Sequence, residues 1–283
     1  MADANPTVRQ RELGLRLRKL RTGLGLTVDD VAEKLMCSAA KISRMETGAR
    51  RPILRDVREL CALYSVEEAT AAELMKLTRQ AREQGWWTQY EDLGLNPYIG
   101  LEQEASSIIH YSMSRVHALL QTEEYAREVI KAILPNIDPV IHGQRVEARL
   151  RRQELLDRDS PPRYRVFFDE MVFRRPVGSS KIMIDQVDKI LGRIQAGKVT
   201  VQVVPFEVGA YAAADVMFTL LEFSQPLLRP VVFVESMNSH QIYERESDVA
   251  QYREAIDSIR DSALSPRDSM LLLADVRKVY ASG

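Results

Sequence analysis

Residues 27–48, TVDDVAEKLMCSAAKISRMETG, constrain the fold of this chain more than any other stretch. Two short runs with helical periodicity stand almost back to back, each opened by a hydroxyl side chain. Thr27 is a good N-cap, and Val31, Ala32 and Leu35 give the first run one apolar face. A tight turn is expected at Met36–Cys37. Ser38 caps the second run, whose inward residues are Ile42 and Met45. Its outward face then carries Ala39, Ala40, Lys41, Ser43 and Arg44. Small residues there let a helix backbone approach base edges, and the cations meet guanine or phosphate. Gly48 ends the run, and Arg50-Arg51-Pro52 sets two more cations just beyond it. The spacing predicts a helix-turn-helix that puts its second helix into the major groove of double-stranded DNA. Thr27 and Ser38, at the two helix starts, complete the expected contact set.

The flanks extend this unit. Leu13, Leu17, Leu20 and Leu24 form an apolar stripe before it, and Val57, Leu60, Cys61 and Tyr64 form one after it. A further helix is expected through residues 67–83. Over about residues 11–65 the chain resembles the phage-repressor-like helix-turn-helix family, the Xre group. The likeness rests on Arg21 ahead of Val31, then Ala32, Ile42, Glu46, Gly48 and the Arg-Arg-Pro triplet. It implies that Arg21 and Glu46 form a structural ion pair. It also implies that Ala39, Ala40 and Arg44 face bases, with Arg50 and Arg51 left to hold phosphates. Two departures stand out. Met36 occupies the usual place of a turn glycine, where positive φ costs a side-chain-bearing residue on the order of 1 kcal/mol. Val28 replaces a glutamine that touches the DNA backbone in many relatives.

Length leaves about 200 residues beyond this head, enough for a second core. The chain has a net charge of −1, which excludes a general nucleic-acid coating protein, but residues 1–60 carry +5 and the remainder −6. A basic head on an acidic body suits DNA contact by one end only. The two cysteines, Cys37 and Cys61, make no disulfide framework, and Cys61 fits an apolar helix face. With no signal peptide and no apolar run of bilayer length, the expectation is a cytoplasmic protein without a membrane partner.

Gly85, Gly94 and Pro97 interrupt the helical pattern, which places the domain boundary between residues 83 and 84. Residues 1–83 are thus the DNA-binding domain and residues 84–283 the effector domain. Trp86, Trp87 and Tyr90 are expected to pack the connecting segment onto the second domain, the alternative being a ligand or partner surface. Further on, extended structure is expected within 105–121, a helix capped by Thr122, and a charged helix over 142–158. A strand at 164–169 and a helix at 181–196 follow, then strands at 199–204, 216–223 and 231–235. The short spacing of the last three favours antiparallel neighbours. Two helices close the chain, the last opened by Ser265-Pro266. The fold class is therefore α+β: an all-helical head, then a larger domain with a small, mainly antiparallel sheet.

This second domain resembles that of a large actinobacterial regulator family, the relatives of the sporulation regulator WhiJ. The blocks that carry the likeness include Trp86-Trp87, LLQTEEYAR at 119–127, VFFDEMVFRRPVG at 166–178, VQVVPFEVGAYAA at 201–213 and ALSPRDS at 263–269. His117-Ala118 departs from the Pro-Gly common in relatives. The resemblance implies a transcriptional regulator, antitoxin-like in arrangement, with a small partner protein encoded beside it. A homodimer that reads two half-sites is expected.

An enzyme finds little support. His110, His117, His142 and His240 form no HExxH pair, the cysteines lack metal spacing, and no glycine-rich phosphate loop or nucleophile elbow occurs. Asp169-Glu170 ahead of Arg174-Arg175 reads as a salt-bridged strand end. No metal or cofactor is expected. The competing function is a ligand-responsive transcription factor, with the aromatic cluster and the loop Gly209–Ala214 lining a small-molecule pocket.

Overall fold

The computed structural model describes residues 7–93, 96–211, 214–235 and 240–282. The chain divides into two compact units. The first comprises residues 1–91, 95–104 and 224–229; the second comprises 92–94, 105–223 and 230–283. This division falls later than the boundary at 83/84, because residues 96–104, expected in the second domain, form a helix of the first unit.

Five helices build the head: α1 (Val8–Gly23), α2 (Val28–Lys34), α3 (Ala39–Glu46), α4 (Leu54–Leu63) and α5 (Glu68–Gln80). Leu13 and Leu17 of α1, Val31 and Ala32 of α2, Ile42 and Met45 of α3, and Val57, Leu60 and Cys61 of α4 meet in one core. Burial raises the Cys61 thiol pKa. Gly14 explains how closely α1 lies on α3. A Cβ there would stand 2.3 Å from the Glu46 carbonyl oxygen, so not even a methyl group fits. The first unit also contains α6 (Asn96–Glu104).

The second unit is built on one six-stranded sheet. In chain order its elements are β1 (Ser107–Ser112), α7 (Glu123–Ile133), α8 (Pro139–Arg152), β2 (Arg163–Asp169), α9 (Met171–Arg174), α10 (Ser180–Gln195), β3 (Thr200–Val204), β4 (Phe218–Glu222), β5 (Val231–Glu235), β6 (His240–Tyr243), α11 (Glu246–Ser262) and α12 (Pro266–Ser282). The strand order is β3-β2-β1-β4-β5-β6. Three of the pairings, β1–β4, β4–β5 and β5–β6, are antiparallel, and β1–β2 and β2–β3 are parallel. The expected antiparallel neighbour relation holds for β4 and β5. It fails for β3, which pairs with β2 in parallel across the long connection through α10.

Side chains alternate between the two sheet faces. One face carries Tyr111, Phe218, Leu220 and Val232, which pack on Val249, Ile256 and Ile259 of α11. The other face holds a row set by register: His110 of β1 opposite Thr219 of β4, and Thr219 opposite Phe233 of β5. After β1, residues 116–121 form a hub for the helices. Gln186 of α10 donates to the Leu120 carbonyl, and Gln153 donates to the carbonyls of Ala118 and Gln121. The charged helix starts at Pro139, earlier than its apolar spacing suggested, because Asp138 caps it by accepting from the Val140 and Ile141 amides.

Candidate nucleic-acid interface

Both helices of the motif are capped by their own side chains. Thr27 Oγ1 accepts from the Asp30 amide at 3.1 Å, and Asp30 returns the bond by accepting from the Thr27 amide at 2.7 Å. That reciprocal box lowers the Asp30 carboxyl pKa. Ser38 Oγ accepts from the Lys41 amide at 3.2 Å. Between the helices Met36 has a φ of 47°, as its place in the turn demanded. The Met36 amide bonds to the Glu33 carbonyl and the Cys37 amide to the Ala32 carbonyl, which closes α2 with a left-handed turn. The Met36 side chain is 94 % exposed, so it contributes nothing to the core in return.

Arg21 and Glu46 come together as a two-pronged pair. Arg21 Nε donates to Glu46 Oε1 at 2.6 Å and Nη2 donates to Oε2 at 2.9 Å. The third prong, Nη1, reaches the Leu26 carbonyl at 2.6 Å. Both residues are buried, and the hydrogen bond to Glu46 raises the Arg21 pKa. The bridge pins the C-terminal end of α3 to α1 and fixes the angle at which α3 is presented.

Ala40, Ser43 and Arg44 form the exposed face of α3. Arg44 folds its Nε back on the Ala40 carbonyl at 3.2 Å and has no carboxylate partner among the described residues. Two positions of the expected contact face are corrected. Ala39 is partly buried and packs against the head core. Lys41 turns toward α4, where its Nζ lies 2.8 Å from Oδ1 of Asp56, a carboxylate only 3 % exposed. Helical spacing alone puts Lys41 at the rim of the outward face, and a partner fifteen residues on pulls it inward. Val28 packs against the core, which accounts for an apolar residue at the head of α2.

Beyond α3, Gly48 has a φ of 75° and the Arg50 amide bonds to the Arg44 carbonyl, so Arg50 is held near the helix end. Arg51 is exposed, with Nη2 donating to the Arg82 carbonyl at 2.5 Å, while Arg82 donates to the Pro52 carbonyl at 3.3 Å. Arg51 is thereby latched to the end of α5.

Trp86, Trp87 and Tyr90 make edge-to-face contacts, with Trp86 ring centroids 6.1 Å from Trp87 and 5.9 Å from Tyr90. Trp87 also lies over Gly85 and against Gly100 of α6, both in the first unit. The cluster therefore closes the first unit, and Tyr90, being buried, offers no surface for a ligand or partner. In the second unit, Glu170 accepts from Arg174 Nε at 2.8 Å and from the Phe206 amide at 3.0 Å. Asp169 accepts from the Tyr211 hydroxyl at 2.6 Å, and Ala212 and Ala213 of the loop expected to line a pocket lie outside the described residues. No three metal-ligating side chains gather among the described residues, and no helix there is long and apolar enough to cross a membrane.

Two capped helices, a left-handed turn and an exposed face ending in an arginine define a helix-turn-helix DNA-binding domain. Residues 12–74 match a family model described as a helix-turn-helix domain. Residues 95–275 match another, described as "Domain of unknown function (DUF5753)", and the chain belongs to that family. No curated protein and no solved structure matches the chain.

Proposed function

We propose that this protein is a sequence-specific transcriptional regulator of the Xre type, acting as a repressor and binding its operator as a homodimer. The observation that carries this reading is the presentation of α3. Its base-facing edge of Ala40, Ser43 and Arg44 is exposed, and the buried Arg21–Glu46 bridge fixes its far end. Arg44 reads a base, and Arg50 and Arg51 lie toward phosphates. A single head covers one half-site, so pairing through the second unit supplies the other. Exposed Ile133, Leu134 and Val140, together with Leu271 and Val279 of α12, are apolar side chains on hand for that pairing. Binding-site selection with the full chain tests both points. The wild type should return two half-sites about one helical turn apart. Arg44→Ala should relax one base pair in each, a loss of about 1–3 kcal/mol of discrimination. An unchanged motif with unchanged preference strength would remove Arg44 from base reading, and a single half-site would remove the dimer.

The second unit then receives the controlling signal. Its likeness to the WhiJ-related regulators supports a small protein partner, encoded nearby, that releases the head from DNA. Operator and partner must then weaken each other's binding by the same factor, which a competition assay measures directly. A second reading, control by a small molecule bound to the second unit, is favoured by a group of arginines and histidines there.

A further inference from the structure

Helix α8 carries Arg145, Arg149 and Arg152 at spacings of four and three, which places them on one face. Arg149 reaches Gln121, and His117 of the same short segment stacks on His110, which brings this face toward the sheet row that begins with His110. Arg149 is deep among protein atoms, yet it retains partial solvent access. Its Nη1 donates to Gln121 Oε1 at 3.1 Å, a neutral amide and not a carboxylate. Of the charges that act on Arg149, three are cations (Arg152, Arg115 and Arg145) and one, Glu235, is an anion already bonded to Arg115 at 2.7 Å. Burial first, and then these neighbouring cations, pull the Arg149 pKa down to about 9.

Two imidazoles complete the group. His110 and His117 stack with ring centroids 3.9 Å apart. His110 Nδ1 lies 2.8 Å from Thr219 Oγ1, and His117 Nδ1 lies 2.5 Å from the Tyr164 hydroxyl. Burial takes His110 down to about 3 and His117 well below its ordinary value, and both feel Arg115 and Arg152. Both rings are therefore neutral at physiological pH and present N–H groups without adding charge. The charges that act on His110 are both cations, Arg115 and Arg152.

A chain with a net charge of −1 has thus gathered like charges in its acidic part, around a guanidinium with a neutral partner. Such an arrangement is unfavourable by itself and becomes favourable when an anion enters. Planar guanidinium forks, a hydroxyl and imidazole N–H donors suit a tetrahedral oxyanion. We propose that the second unit binds the phosphate group of a small molecule between the Arg149 face of α8 and the His110–Thr219 row of the sheet. This rests on the second control reading only for its effect on DNA; the binding itself stands or falls alone.

The test is thermal unfolding of the full chain in inorganic phosphate, against chloride at matched ionic strength. Phosphate at ten times its dissociation constant should raise the midpoint by about 3 °C. Arg149→Met should lose that rise, and Arg149→Lys should keep part of it. Phosphate should also shift the ring resonances of His110 and His117 and leave those of His142 in place. That readout holds even where a variant is too unstable to melt cleanly. Glucose 6-phosphate as a parallel probe separates sources: tighter binding than phosphate marks an organic phosphate, weaker binding marks the free ion. No rise over chloride, or an equal rise in Arg149→Met, would overturn the site. Operator affinity with and without phosphate then judges the control reading separately: binding without any change in affinity would leave the site standing and end that reading.

Discussion

Arg21 in the first unit and Arg149 in the second are both enclosed by protein, and the chain treats them in opposite ways. Arg21 has a carboxylate on two prongs and a carbonyl on the third, and its pKa rises. Arg149 has a neutral amide and cationic neighbours, and its pKa falls to about 9. A guanidinium saturated by its own chain is part of the framework. One left among like charges keeps an unmet demand for negative charge, and that demand is a property a ligand can satisfy. The same residue type thus marks rigidity in the head and receptivity in the second unit.

The contrast breaks most sharply at Glu46. Glu46→Ala leaves Arg21 buried without its anion and should lower the stability of the first unit by about 3–5 kcal/mol. Both tryptophans lie in that unit, so tryptophan fluorescence follows its unfolding selectively. An unchanged fluorescence midpoint would show that the pair does not hold α3.

Acid sharpens the comparison from the other side. His110 titrates at about 3 in the fold against an ordinary 6.5, so between those values the unfolded chain takes up a proton that the fold rejects. Stability of the second unit therefore falls as pH drops below 6.5, by about 2 kcal/mol at pH 5 from this group alone. His117 is shifted in the same direction and adds to the loss. Far-ultraviolet dichroism should lose its midpoint faster than tryptophan fluorescence between pH 7 and pH 5. Parallel losses would remove the histidines as the cause.

The smallest effect is expected at Met36. Met36→Gly relieves a left-handed residue and should stabilise the first unit by at most about 1 kcal/mol, less the entropy that glycine adds to the unfolded chain. A lower fluorescence midpoint would show that the Met36 side chain contributes something its exposure hides.

Much of the head is legible in sequence because its signals are local. Thr27 and Ser38 name their helix starts, and Met36 falls where the turn requires positive φ. In the second unit, Thr122 capping α7 and Ser265 bonding the Asp268 amide are equally local. What escapes is set by distance along the chain. Lys41 finds Asp56 on another helix, and α6 joins the first unit through contacts such as Trp87 on Gly100. The four residues of β6 are too few and too polar to announce a strand, and only pairing with β5 defines them. The arginine and histidine group draws on residues from 110 to 235, and no window along the sequence contains it.

The Lys41–Asp56 pair has a consequence for how tightly the head responds to salt. A duplex sheds condensed cations when protein charges neutralise its phosphates, by about 0.9 per phosphate. Lys41 arrives already matched, and Asp56 has a second oxygen, Oδ2, buried with no hydrogen-bond partner among the described residues. If Lys41 swung out to a phosphate, Asp56 would be stranded and would recruit a cation from solution, cancelling the one released. Arg44 and Arg50, with no carboxylate partners among the described residues, make the full contribution. The logarithmic salt slope of operator binding should therefore be about one unit shallower per head than a count of every cation on and beside α3 would give.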